Sequence, residues 1–149
     1  MATIDEMFKL VQSINLTEIF KDAVLKTSDR LLEMNKNQLL HGDATDDAIL
    51  GNLKWVEYAE AKADAGSLAP FGVYDFDLFG DFQKAMGITL DGHGNIIIES
   101  SDEKNDYLEK LAGGGERVFG LTKDNLDIYA SEIILPMMNE LVRKHLKLS

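Results

Sequence analysis

The stretch ITLDGHGNIIIES, residues 88–100, restricts the fold more than any other part of this chain. Apolar residues spaced two apart flank the sequence Gly-His-Gly on both sides, and a period of two is typical of strands with one buried face. With Gly-His-Gly as a three-residue loop, one face collects Ile88, Leu90, Ile96 and Ile98, and the other holds Thr89 and Ile97. A slip of one residue would turn every side chain to the opposite face. The pattern therefore predicts a β-hairpin in this register.

Residues 91–102 also have the length of a calcium-binding loop, and they begin and end on aspartate. Such a loop needs side-chain oxygens at its first, third and fifth positions and a glycine at its sixth. The third position is His93 and the sixth is Ile96, so both the ligand type and the bend are unsuitable. We predict a turn rather than a metal site, with His93 exposed at the loop tip.

The N-terminal part of the chain predicts helices. Asn15 is a suitable N-cap, and Glu18 follows three residues later as in a capping box. Apolar residues then recur at helical spacing until "HG" at positions 41 and 42, which predicts one long helix of about six turns. Ahead of it, a shorter amphipathic segment is predicted from Ile4, Met7, Phe8 and Val11.

Shorter helices are predicted around the hairpin. One is NLKWVEYAEAKAD, residues 52–64, within an otherwise weakly patterned region. A second has Asp77 as its N-cap and Gly87 as its C-terminal stop. A third starts at Ser101 or Asp102 and ends at the three glycines 113–115, where we expect a tight turn or a hinge.

The last helix is predicted to begin at Thr122 and to run close to the C-terminus. Pro136 should bend it, because proline removes one backbone donor and crowds the carbonyl of Glu132. Its apolar residues cover a wide arc, so burial is expected either within the chain's own fold or partly against a neighbouring subunit.

Length and composition are those of one globular domain, with 149 residues, 45% hydrophobic and 28% charged. We predict an α+β fold: a long N-terminal helix and a kinked C-terminal helix packed on a small antiparallel sheet that contains the hairpin. The predicted single domain, residues 1–149, comprises N-terminal helices (1–42), a variable loop region (43–76), a short helix, the β-hairpin and a short helix (77–112), and a glycine hinge with the C-terminal helix (113–149).

The charge and the cysteine count exclude several classes of function. A formal net charge of −11 repels phosphate, so generic nucleic-acid binding is not expected. The absence of cysteine rules out disulfides and thiolate metal sites. The N-terminus lacks a secretion signal and no apolar run reaches the length of a membrane span, which predicts a cytoplasmic protein without membrane contact.

Motifs for catalysis and ligand binding are incomplete. GERVFGLT has the glycine spacing of a phosphate-binding loop, but Leu121 replaces the required lysine. The histidines at 41, 93 and 145 lie far apart and form no paired metal motif. The acidic clusters DATDD and SSDEKND are interpreted as solvated caps and turns. We therefore predict a protein that is not an enzyme and has no catalytic, cofactor or metal site.

The segments DLFGDFQKAM, ITLDGHGNIIIESSDEK and VFGLTKDNLDIYASEIILPMM, in this order, resemble the neck, ring or tail-completion proteins of tailed bacteriophages. The resemblance covers residues 77–146, about half of the chain, while residues 43–74 differ from that pattern. The matching positions are Leu78, Gly80 and Phe82, then Ser100, Asp102 and Lys104, then Phe119, Gly120, Leu121 and Thr122.

The resemblance implies a structural virion protein, assembled in the host cytoplasm, that forms a homo-oligomeric ring in the head–tail connector. Its implied partners are the portal, adaptor or other neck and tail proteins, and genomic DNA that passes without specific binding. Contacts in a closed ring are heterologous. We expect apolar residues of the loop region and of the last helix to supply them, namely Trp55, Tyr58, Phe71, Tyr74, Tyr129, Ile134, Met138 and Leu141.

Two alternatives remain open from the sequence. An acidic inhibitor that imitates DNA would suit the charge, but it should carry carboxylates at regular spacing along exposed faces, whereas here they fall mostly at caps and turns. A small metal-dependent hydrolase would use Asp91, His93 and nearby acids.

Overall fold

The structure, a computed structural model, describes residues 3–50, 56–69, 71, 81–91, 93, 95–102 and 114–148. Over these residues it is an α+β protein with a two-stranded antiparallel sheet, as predicted. The elements are α1 (Ile4–Gln12), α2 (Leu16–Lys26), α3 (Ser28–Leu40), α4 (Val56–Asp64), α5 (Asp81–Lys84), β1 (Met86–Leu90), β2 (Ile96–Ser100), α6 (Gly115–Val118), α7 (Lys123–Ile128), a π-helical segment (Tyr129–Ile134) and α8 (Leu135–His145).

The chain divides into two compact units. The first unit combines both ends of the chain, Met1–Asp29 and Asp127–Ser149, and the second unit is Arg30–Leu126. Their charges differ, since the first unit has eight acidic and six basic residues and the second has eighteen and nine. Most of the net negative charge therefore lies in the second unit. The expected single domain stays a prediction.

Local capping explains where the first two helices begin. Thr3 and Glu6 form a complete capping box at α1, with Thr3 N donating to Glu6 Oε2 at 2.7 Å and Glu6 N donating to Thr3 Oγ1 at 3.2 Å. Asn15 caps α2 by accepting from Glu18 N at 3.2 Å, so the predicted helix start is confirmed.

The structure divides the predicted long helix at Thr27. The Thr27 hydroxyl donates to Ala23 O at 2.7 Å, and its backbone adopts φ −111°, ψ 14°. Hydroxyl groups that compete for helix carbonyls in this way weaken the regular ladder. Two helices, α2 and α3, therefore replace the single predicted one.

The C-terminal helix begins directly after Thr122, as predicted, and Thr122 Oγ1 accepts from Asn125 N at 3.3 Å. The bend expected at Pro136 stays a prediction, but a π-helical segment directly precedes the helix in which the proline lies. Leu135 N donates to Ala130 O, five residues back. A wider turn before a proline relieves the clash of the ring with the carbonyl four residues earlier.

The hairpin has the predicted register, with Ile88 opposite Ile98 and Leu90 opposite Ile96. The predicted helix end at Gly87 is wrong, because Met86 and Gly87 belong to β1. Met86 is buried in the core, and strand pairing with β2 satisfies the backbone there. Of the predicted short helix, the part that is described is α5, Asp81–Lys84.

The core of the second unit brings α3, the loop after it, β1 and α6 together. Its buried residues are Leu39, Ala44, Leu50, Met86 and Val118, with Leu32, Ile98 and Phe119 packed against them. Gly114, with φ 128°, adopts a conformation that glycine favours, and Gly115 begins α6.

Several predicted features lie outside the described residues. These are the N-cap Asp77, the helix after Asp102 and the resemblance positions Leu78, Gly80 and Lys104. Within the described ranges, none of the helices combines the length and apolar character needed to cross a membrane.

Candidate assembly surface

The hairpin loop is organised by its own aspartate. Asp91 Oδ1 accepts from His93 N and from Asn95 N, each at 2.8 Å, and Asp91 Oδ2 accepts from Asn95 Nδ2 at 2.8 Å. This is an Asx-type turn, in which the carboxylate replaces backbone partners. His93 is exposed, as expected. In the part of the chain that the structure describes, no group of three or more His, Cys, Asp or Glu residues is placed to hold a metal ion.

A pair of side-chain amides on α3 holds the segment that precedes the last helix. Asn35, which is fully buried, donates from Nδ2 to Val118 O at 2.9 Å and accepts from Gly120 N at 3.0 Å through Oδ1. One amide thus binds a carbonyl and an N–H two residues apart, as a neighbouring strand would. Asn35 fixes Val118 and Gly120 against the helix.

Gln38 repeats this arrangement one turn later. Its Nε2 donates to Gly120 O at 3.1 Å, and its Oε1 accepts from Thr122 N at 2.9 Å and from Asn125 Nδ2 at 2.7 Å. We call Asn35 and Gln38, with the backbone of residues 118–122, the amide clamp. It holds the backbone of residues 118–122 against α3.

The sequence did not single out the amide clamp. Its signal was present, because Asn35 and Gln38 follow Leu31 by four and seven residues and therefore lie on the apolar face of α3. A buried amide on such a face needs partners, but the sequence alone does not say which backbone provides them.

A second set of contacts anchors the loop that follows α3. Arg117 pairs with Asp46 at 3.2 Å and donates to Ile49 O at 2.9 Å. Thr45 Oγ1 donates to Glu116 O at 2.6 Å. A hydrogen bond from the backbone N–H of Ala48, together with the Arg117 guanidinium, lowers the pKa of the Asp46 carboxyl.

In the first unit, Tyr129 and Thr27 link the π-helical segment to the end of α2. The Tyr129 hydroxyl lies 2.9 Å from Thr27 Oγ1, which itself donates to Ala23 O. Burial raises the pKa of Tyr129. Tyr129 therefore serves as a buried structural contact.

The residues predicted for subunit contacts fall into three groups. Tyr129 and Ile134 are only 5% and 6% exposed, because they pack inside the chain; their contact with a neighbouring subunit stays a prediction. Met138 and Leu141 are half-buried, whereas Phe71 is 63% exposed. Trp55 and Tyr74, and the side chain of Tyr58, lie outside the described residues.

Among the described residues, the most exposed apolar face belongs to α1. Ile4, Phe8 and Val11 are 88%, 61% and 51% exposed, and their spacing of four and three residues places them on one side of the helix. We call these three residues the α1 stripe. The sequence indicated an amphipathic segment here, but it could not indicate that this part of the face is left uncovered.

Other large apolar side chains of the first unit are exposed as well. In the described part of that unit they are Leu16, Phe20, Leu25, Ile128, Leu135 and Leu148.

Searches against protein-family models, curated proteins and solved structures returned no match to this chain.

Proposed function

We propose that this chain is a structural assembly subunit, and specifically a ring-forming component of a bacteriophage head–tail connector that links the portal to the tail. The observation that carries the proposal is the concentration of exposed apolar side chains on the helices of the first unit. Nine of the fourteen exposed large hydrophobic residues in the described part of the chain lie there, although this unit is the smaller one.

Exposed apolar patches of this kind mark surfaces that a partner covers. Scattered single residues would need no explanation. Here, however, three of them share one face of α1, and Leu16 and Phe20 follow one turn apart on α2. Helical faces with anchors at this spacing are typical of docking surfaces.

The distribution of charge suits different roles for the two units. With eight acidic and six basic residues, the first unit is close to neutral, so copies that meet through it repel each other weakly. The second unit, with a net charge of −9, repels the phosphates of a duplex. In a connector, this negative charge would let DNA slide through without adhering.

The polar groups described above support a building role too. Asn35, Gln38, Asp46 and Asp91 each bind backbone atoms of their own chain. Their hydrogen bonds order loops and hold residues 118–122 against α3, which suits a structural subunit of a ring. The resemblance of residues 77–146 to connector proteins supplies the specific assignment.

The test combines assembly with DNA binding. The purified chain is studied by sedimentation velocity and negative-stain electron microscopy up to millimolar concentration, alone and mixed with purified portal rings of tailed phages. We expect closed rings or portal-bound particles, and no retention of duplex DNA at 50 mM salt. A chain that forms no ring and binds no portal, whether monomeric or dimeric, would overturn the proposal.

A competition assay separates this role from that of an acidic inhibitor. Labelled duplex DNA is bound to a basic DNA-binding protein, and the chain is added in excess. If the assembly role is correct, the labelled DNA stays bound. Displacement of the DNA at stoichiometric amounts by a strictly monomeric chain would replace the connector role with DNA mimicry.

A further inference from the structure

We infer that the α1 stripe docks on the α1 stripe of a second copy of this chain, with the two helices antiparallel about a twofold axis. The inference goes beyond the connector role and does not depend on it, because it concerns the occupant of one surface. It follows from how α1 is seated, from the charges at its two ends and from the area that it exposes.

Helix α1 packs against the rest of the first unit through only one side of its apolar face. Met7 and Leu10, and Ile14 just after the helix, are half-buried, whereas the α1 stripe beside them stays exposed. No residue of α1 is fully buried. Covering the stripe would complete the burial of an arc that the fold has already half covered.

The surroundings of α1 have opposite charges at its two ends. Asp5 and Glu6 lie in the first turn, and both are exposed. At the other end, His145 Nε2 lies 2.8 Å from Ser13 Oγ and 3.2 Å from Leu10 O, which places the last turn of α8 beside the last turn of α1. The basic residues at that end are Lys9, Arg143, Lys144 and Lys147. Lys144 is paired with Glu140 at 3.2 Å, which leaves an excess of positive charge among these residues.

These charges favour a second copy of α1 as the partner and an antiparallel arrangement of the two helices. In an antiparallel pair, the acidic end of each α1 meets the basic end of the other, whereas a parallel pair would bring like ends together. The helix is about 13 Å long, which exceeds the screening length of about 8 Å at physiological salt. Only the ends that face each other therefore interact, and the antiparallel pair is favoured.

The twofold arrangement also matches the apolar residues. With the axis between Met7 and Phe8, Ile4 of each copy faces Val11 of the other, and the two Phe8 rings meet near the axis. Aromatic rings that pack in this way add to the energy of area burial.

The exposed area predicts a weak dimer. Three large side chains at these exposures supply roughly 400 Å² per copy, below the roughly 800 Å² per partner of a standard stable interface. We therefore expect only weak, concentration-dependent dimerisation of the isolated chain. A twofold contact is isologous, so it cannot replace the heterologous contacts that close a ring; in a larger assembly it would add to them, and several weak contacts would act together.

The direction of pairing can be tested by cross-linking, because the chain has no cysteine of its own. The single variants Phe8→Cys, Ile4→Cys and Val11→Cys are oxidised at about 200 μM, separately and in pairs. We expect Phe8→Cys to cross-link with itself. Ile4→Cys and Val11→Cys should cross-link efficiently only when they are mixed. Efficient cross-linking of Ile4→Cys with itself would mean parallel packing and would overturn the inference, as would a lack of cross-linking in all samples.

A matched pair of substitutions tests the surface without cysteine. Phe8→Asp and Phe71→Asp alter the same residue type at nearly equal exposure, 61% and 63%. Sedimentation equilibrium should show at least a tenfold weaker dimer for Phe8→Asp and an unchanged dimer for Phe71→Asp, with equal helical circular dichroism. Equal weakening by both would indicate nonspecific apolar association and would refute the specific pairing.

The two proposals fail separately. A chain that forms portal-bound rings but gives no α1 cross-links keeps the connector role and loses the twofold contact. A chain that gives the expected cross-links but neither forms rings nor binds portals keeps the twofold contact and loses the connector role.

Discussion

Replacing Asn35 with alanine tests whether the amide clamp stabilises the second unit. The side chain is fully buried and makes two hydrogen bonds, at 2.9 Å to Val118 O and 3.0 Å to Gly120 N. Alanine would leave both backbone groups without these partners. An unsatisfied buried polar group costs about 1–3 kcal/mol, so we expect a loss of about 2–5 kcal/mol in the free energy of unfolding.

The control is Asn37→Ala, which changes the same residue type at an exposed position of the same helix. Surface changes of this kind usually stay within about 0.5 kcal/mol. Urea denaturation followed by circular dichroism gives the free energies, and hydrogen exchange of the Gly120 amide reports on the clamp directly. In the native protein that amide is hydrogen-bonded to Asn35, so Asn35→Ala should speed its exchange strongly.

A third variant separates hydrogen bonding from shape. Asn35→Asp keeps the size of the side chain, but the ionised carboxylate cannot donate to Val118 O. Burial favours the protonated form, which can donate, so the variant should be more stable relative to the native protein at pH 4 than at pH 7. If Asn35→Ala and Asn37→Ala had equal stability and the Gly120 amide kept its protection, the reasoning on the clamp would be refuted.

Three further predictions concern single residues. Tyr129→Phe should cost about 0.5–1.5 kcal/mol through the lost hydrogen bond to Thr27. Burial raises the pKa of Tyr129 above its ordinary value of 10.0, so the folded state holds this proton more tightly than the unfolded state. The stability that this provides is present below pH 10 and is lost as the pH rises further. In thermal unfolding, Tyr129→Phe should not show this decrease in stability above pH 10. The N–H of Ala48 and the Arg117 guanidinium lower the pKa of Asp46 below 3.8. The contribution of Asp46 to stability is therefore present above pH 3.8 and disappears in stronger acid. Asp46→Asn should accordingly reduce the loss of stability that the native protein shows when it is titrated with acid. Gly120→Ala should destabilise by about 1–3 kcal/mol in urea because φ is +133° there, whereas alanine at the strand glycine of β1 meets no atom within 4 Å and serves as the control.

The hairpin and the helix starts could be predicted because their causes are local. The spacing of Ile88, Leu90, Ile96 and Ile98 fixes a register without reference to the rest of the chain. Asn15 and Thr122 begin helices by binding N–H groups three residues away. Such signals lie within one short segment and can be read directly.

The features that the sequence did not predict depend on distant residues. Thr27 ends α2 beside Tyr129, about a hundred positions later in the chain. The amide clamp joins Asn35 to Gly120 in the same way. The exposure of the α1 stripe depends on which part of an apolar arc the fold covers, and periodicity gives only the width of that arc. The sequence pattern predicts a helix at Met86, because helical spacing of apolar residues continues past the point where strand pairing begins.

The composition of the first unit from both chain ends has a consequence for biosynthesis. Helices α1 and α2 emerge from the ribosome early, but the helical segments that complete their unit start at Asp127. At about 5–20 residues per second, roughly 100 residues of translation separate the two, a delay of about 5–20 s. The second unit can condense during this interval. The unit that carries the surface we assign to self-association would then be completed later than the second unit, so newly made copies would pair only after residues 127–149 have been made.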